Sequence, residues 1–169
     1  SHPTEFEDVG FDLRQGEILG FYGLVGAGRS EVMQALFGTT PISSGTITLE
    51  GQRIAPRSAA EAIEAGIVHV PEERGRQGIV ADMPIFKNVS LPSLKRTSRS
   101  GVLQLKNEFD LARTYTERLD LRAASLSQNA GNLSGGNQQK VVIAKWLATK
   151  PKVIILDEPT KGIDIGSKA

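Results

Sequence analysis

The sequence predicts an α/β protein built on a parallel sheet, because short apolar runs alternate with helical stretches along the chain. Residues 18–22, Ile67–Val70 and Val153–Leu156 are strand-length apolar runs closed by glycine, proline or acidic residues, the pattern of buried parallel strands. Residues 30–37, 58–65, 103–121 and 135–148 carry helical spacing or helix-end signals. A glycine-rich turn leaves the first run and opens the first helix.

The run 18–22 lies between Gly16 and Gly23, with Phe11 and Tyr22 expected in the core. In 30–37, Val32, Met33 and Leu36 recur at helical spacing, and Gly38 stops the helix. Residues 46–49 alternate like a half-buried strand, and Gly51 turns the chain. Ser58 is placed to cap a helix through Ala65, with Glu61 completing a capping box and Gly66 ending it. From 71 to 101 the texture loosens, and Lys95, Arg96 and Arg99 among Ser and Thr read as a solvated loop. Leu105, Phe109, Ala112 and Leu119 are apolar positions of the helix over 103–121; Val142, Ile143, Trp146 and Leu147 mark the one over 135–148. Pro151 clears the way for the last strand. Residues 80–150, rich in helix and poor in strand, therefore read as a helical subdomain inserted into a core of residues 1–79 and 151–169.

Composition narrows the function. The 39% hydrophobic content suffices for an ordinary core in a single domain. Charged residues nearly balance at a net +1, which leaves no footprint for nucleic acid or for an anionic membrane. There is no cysteine, so disulfides and thiolate metal sites are excluded. The longest nearly apolar run, 18–28, is far shorter than the roughly 20 residues that span a bilayer. No signal-peptide pattern opens the chain. Direct membrane insertion is not expected, and a partner would have to supply it.

Gly23-Leu24-Val25-Gly26-Ala27-Gly28-Arg29-Ser30 has the frame of a Walker A loop. Polyphosphate needs backbone amides turned inward without Cβ interference, and the following helix directs its N-terminal dipole at the phosphates. The candidate nucleotide ligands here are Gly23, Gly26, Ala27, Gly28, Arg29, Ser30 and Glu31, and the Ser30 hydroxyl is a candidate Mg²⁺ ligand. Arg29 stands where the motif has lysine; a planar guanidinium cannot sit where a compact ammonium sits. Taken alone, the loop also fits a glycine turn with no ligand. A dinucleotide fingerprint with Glu50 as ribose acid fails, because Glu31 stands where that motif needs glycine.

Leu133-Ser134-Gly135-Gly136-Asn137-Gln138-Gln139-Lys140 places a serine and two glycines at the start of a helix, which offers a hydroxyl and amides to a terminal phosphate. Lys152-Val153-Ile154-Ile155-Leu156-Asp157-Glu158-Pro159-Thr160 matches a Walker B strand. Asp157 at its carboxyl end can reach Mg²⁺, and Glu158 is the candidate catalytic base for the attacking water.

Three motifs in this order resemble the ATP-binding cassette of ABC transporters, and the similarity covers nearly the whole chain. Gly-Leu-Val-Gly-Ala-Gly-Arg-Ser-Glu, Val70-Pro71-Glu72-Glu73-Arg74 and the Asn-Gln-Gln-Lys signature are similar to the second cassette of bacterial ribose, galactose and arabinose importers. The resemblance implies a P-loop NTPase core with an inserted signature subdomain, and ATP and Mg²⁺ as cofactors. It implies transport-coupled ATPase activity for the full assembly, at the cytoplasmic face of the cell membrane. It implies a second cassette and transmembrane permease subunits as partners, with each ATP held between one cassette's Walker motifs and the other's signature.

By the same resemblance, Ser134, Gly135, Gly136 and Asn137 would act on the partner's nucleotide. Asp164 would be the D-loop aspartate, and Glu72 would replace the Q-loop glutamine as a nucleotide and Mg²⁺ ligand. With Arg29, Glu72 marks a degenerate site. As alternatives, Glu72 and Glu73 form a solvated loop paired with Arg74 and Arg76, and the whole chain is a nucleotide-responsive module without turnover or a soluble non-transport ABC ATPase. The family's switch histidine lies beyond the D-loop and its adenine-stacking aromatic on a leading strand. Neither is found here, so a fragment covering the first two-thirds of a cassette is expected, inactive in isolation. His69 reads as a structural strand residue.

Overall fold

The computed structural model describes residues 2, 6–24 and 26–160. The chain divides into two compact units, Ser1–Ile67 and Val68–Ala169.

In the first unit, helix α1 (Arg29–Leu36) begins on Gly28, whose φ of 81° is left-handed, and buries Val32 and Ala35. It ends at Gly38, where φ is +76° and an added Cβ would lie 2.9 Å from both the N and the O of Ser58. Only glycine fits that turn. Strands β1 (Ile47–Leu49) and β2 (Gln52–Ile54) form an antiparallel hairpin with Leu49 opposite Gln52. Glu50 and Gly51, both at positive φ, make its two-residue turn. The first strand and the turn match the sequence expectation, and β2 is an element the sequence did not signal.

Helix α2 (Ala59–Ala65) is closed at both ends as expected. Ser58 Oγ accepts the Glu61 amide at 3.2 Å, and Gly66 is left-handed at φ 100°. The capping box itself is shifted by one residue, for the Glu61 carboxylate accepts the Arg57 amide at 2.9 Å rather than that of Ser58.

The strand expected over 18–22 is not formed. Ile18 is 97% and Tyr22 101% exposed, and Phe11, at 42%, is not core either. An apolar run becomes a strand only when neighbours accept its hydrogen bonds and cover its faces. Among the described residues no strand pairs with this one.

In the second unit, β3 (Ile67–Val70) and β6 (Val153–Leu156) pair in a two-stranded parallel sheet. The Asp157 amide donates to the Val70 carbonyl at 3.0 Å, joining the carboxyl ends of both strands. A π-helical turn at Arg74–Gly78 follows β3. Helices α3 (Ile85–Ser90), α4 (Leu94–Thr97), α5 (Leu105–Arg118) and α6 (Gly135–Leu147) make up the helical part. Its core joins Val70, Ile79, Ile85, Val89, Ala112, Tyr115, Val141 and Val142, so strand β3 and the helices share one apolar interior.

Two buried polar groups shape that interior. Ser90 Oγ donates to Glu108 Oε1 at 2.7 Å, which supplies the buried carboxylate with a partner. The Asn88 side chain closes the loop before α3. Its Oδ1 accepts the Val80 amide at 2.8 Å, and its Nδ2 faces the carbonyls of Val80, Met83 and Pro84 at 3.0, 3.0 and 3.3 Å.

The basic stretch expected as a solvated loop is ordered secondary structure. Lys95 and Arg96 lie in α4, and Arg99 lies in a short hairpin of β4 (Ser98–Arg99) and β5 (Val102–Leu103). Arg96 Nη1 donates to the Ala148 carbonyl and so satisfies one of the last acceptors of α6. Leu105, expected on the apolar side of α5, is 63% exposed, because the helix starts there and its first turn overhangs the core.

Candidate functional site

The first unit carries the glycine loop. Gly26 and Gly28 both take φ near 81°, where a side chain would be strained, and the Ala27 amide donates to the Leu24 carbonyl at 3.1 Å. Gly28 is buried, while Arg29, Ser30 and Glu31 are half-buried in the first turn of α1. Gly28 has no side chain with which to cap the first-turn amides. A helix start without its own acceptor, led in by left-handed glycines, is a seat for an anion. Gly23 is tightly placed as well, since an added Cβ would lie 3.3 Å from Ala27 Cβ.

The second unit carries the acidic edge. Asp157 follows β6 and is tied through its amide to Val70. Glu158 is exposed and held at φ 44°, a left-handed conformation that costs a non-glycine residue about 1–3 kcal/mol. His69 Nε2 lies 4.0 Å from Asp157 Oδ2, with side-chain exposures of 9% and 14%. Burial pushes the His69 pKa below its ordinary value, and the Asp157 carboxylate opposes that shift.

His69 is the structural strand residue expected, and its proximity to Asp157 was not expected from sequence. The available signal was one titratable residue in a wholly buried strand, next to its carboxyl end. Glu72 lies two residues beyond β3 and is half-buried. Glu73 pairs with Arg76 at 3.3 Å on the surface, as the solvated-loop alternative expects for that residue.

The same unit carries the signature. Ser134 caps α6, its Oγ accepting the Asn137 amide at 3.5 Å and Asn137 Nδ2 at 3.0 Å. Asn137 Oδ1 in turn accepts the Arg122 amide at 2.9 Å. The Asn137 side chain thus holds the serine hydroxyl and the preceding loop in register. Ser134 is exposed, with Gly135 and Gly136 half-buried behind it.

Each group of expected ligands is assembled within its own unit. Asp164 lies outside the described residues, as does Val25 of the loop. Oxygen donors such as the Ser30 hydroxyl and the Asp157 carboxylate suit a hard cation such as Mg²⁺. Among the described residues no group of three His, Cys, Asp or Glu that could hold a metal ion is gathered.

A sequence model of the ABC transporter family matches residues 6–161. The chain belongs to that family. It is 74% identical over 168 residues to the ribose import ATP-binding protein RbsA 1 of Rhizobium meliloti (strain 1021), covering 99% of this chain and 33% of that protein. It is 49% identical, over the whole of this chain and 34% of the relative, to a putative ribose/galactose/methyl galactoside import ATP-binding protein of Agrobacterium fabrum.

This ABC family chain therefore spans about a third of the length of the curated relatives it matches. Among solved structures it is similar to the dimeric post-hydrolysis state of the ATP-binding cassette MJ0796 bound to ADP and Pi. The TM-score is 0.76 at 21% identity, covering 93% of this chain and 67% of that one, which shows the fold. The P-loop α/β class expected from sequence is the observed one. Among the described residues of this ABC chain, no helix is long and apolar enough to cross a membrane.

Proposed function

We propose that this chain is part of the ATP-binding protein of an ABC importer for a ribose-type sugar, working with transmembrane permease subunits at the inner face of the membrane. The observation that carries the reading is the 74% identity to a ribose import ATP-binding protein over 99% of the chain. The loop 23–30 binds ATP phosphates. Ser30, Asp157 and Glu72 are the Mg²⁺ ligands, and Glu158 orients the attacking water. Residues 80–150 are the subdomain that presents Ser134 and Gly136 to a nucleotide held by a second cassette.

ATP-dependent uptake of labelled ribose into proteoliposomes carrying the full-length protein and its permease tests this. Uptake is expected with the complete assembly, and absence of ATP-dependent uptake sinks the assignment. In the same assay system the 169-residue chain alone is expected to show no ATPase activity above background. Steady turnover by it at about 1 s⁻¹ would contradict the need for a second cassette.

Arg29 and Glu72 favour a second reading for this half-site, in which it binds nucleotide without turning it over. Glu158→Gln separates the two. If the half-site is degenerate, the substitution leaves at least about half of the assembly's ATPase rate, whereas removing a working general base costs about 10²–10⁴-fold.

A further inference from the structure

Lys145 is a buried cation on α6 that the proposed chemistry does not use. It is 8% exposed, and burial lowers its pKa to about 8. Its Nζ donates to the carbonyl of Gly78, the last residue of the π-turn, and lies 4.7 Å from the centre of the Trp146 ring. Gly78 is pressed onto the same helix, since an added Cβ would lie 2.8 Å from Val142 Cγ2. The turn is continuous with Glu72. The Arg74 amide donates to the Glu72 carbonyl at 3.2 Å, the Gln77 amide to that of Glu73 at 2.9 Å, and the Ile79 amide to that of Arg74 at 3.0 Å.

A buried lysine is a poor way to gain stability, because an apolar side chain of similar length avoids desolvating a charge. Single π-turns are themselves unfavourable and recur where a segment has to be aimed. Both features meet between the loop that carries Glu72 and the helix capped by Ser134.

We propose that Lys145 is a positioning residue whose bond to Gly78 locks the π-turn to α6, so that the Glu72 loop and the Ser134 cap shift together when nucleotide binds. This rests on the reading of both segments as nucleotide-facing. It adds a specific mechanical link between them, carried by one side chain.

The test uses the full-length protein with its permease, comparing wild type, Lys145→Met and Lys145→Arg. Hydrogen exchange is followed in peptides spanning 73–80 and 133–140, with and without ATP, beside ATPase kinetics. In wild type, ATP is expected to slow exchange in both peptides. In Lys145→Met the Ile79 amide exchanges at least about tenfold faster, and ATP protects only one of the two peptides. The rate kcat falls about tenfold, while KM for ATP stays within about twofold and Tm is unchanged or higher. Lys145→Arg, which keeps a donor, restores most of the rate.

If Lys145→Met retains the wild-type kcat and both peptides still respond together, the proposal is overturned and the functional reading stands. If wild type shows no response to ATP in either peptide, the nucleotide-facing reading fails and takes the proposal with it.

Discussion

Replacing Gly136 with leucine in the full-length importer is expected to reduce sugar transport by at least about 100-fold, while Arg29→Ala should cost no more than a few-fold. Gly136 stands in the first turn of α6, directly behind the exposed Ser134 cap. Catalysis of phosphoryl transfer rests on preorganised donors aimed at the transferring group, and the loss of one such donor costs about 10²–10³-fold. A leucine there would keep the helix start from closing on the partner's nucleotide, so several donors would be lost at once.

Arg29 sits in the first turn of α1, on the half-site that the second reading takes to bind nucleotide without turning it over. Its loss should appear as weaker nucleotide binding at its own loop. Uptake rates and nucleotide affinity measured on both variants decide the matter. Equal damage from the two substitutions would mean equivalent sites and would rule out the second reading. The Ser134–Asn137–Arg122 hydrogen bonds provide a check on folding, because a local disruption by the leucine would speed exchange at the Arg122 amide.

The largest loss of stability is expected at Asn88. Asn88 is 1% exposed, and its carboxamide bridges the Val80 amide and three carbonyls across the loop before α3. In Asn88→Leu the Val80 amide loses its acceptor, whereas the carbonyls of Val80, Met83 and Pro84 still accept the amides of Met83, Ala130 and residue 88; an unsatisfied group costs about 1–3 kcal/mol. A loss of about 1–3 kcal/mol is therefore expected, read as a lowered urea midpoint at an unchanged m-value. Asn88→Asp keeps the acceptor for the Val80 amide but brings a carboxylate up to three carbonyls, and it should be no better tolerated. A midpoint unchanged by Asn88→Leu would mean that the loop finds other partners and that Asn88 does not organise it.

The sequence by itself determined the elements whose signals act within a few residues. Ser58 and Gly66 bound α2, and Ser134 opens α6, because caps depend on an oxygen or a left-handed glycine adjacent to the helix end. Strands β3 and β6 match their apolar runs, since each is short, apolar apart from His69, and closed by a proline or an acidic residue. The three candidate motifs stand out in the sequence because each is a contiguous run of residues.

Only the tertiary structure decided what depends on a distant partner. Residues 18–22 have the composition of a buried strand, yet the backbone stays unpaired where no described strand meets it. Arg96 looked like a solvated charge and ends α6 through a carbonyl 52 positions away. His69 looked structural and lies beside Asp157, while Lys145, which no motif marks, reaches Gly78 from 67 positions along the chain. Apolar periodicity marks which face of an element will be covered. It carries no record of which polar atom will meet which, because that depends on how the elements pack together rather than on neighbours in sequence.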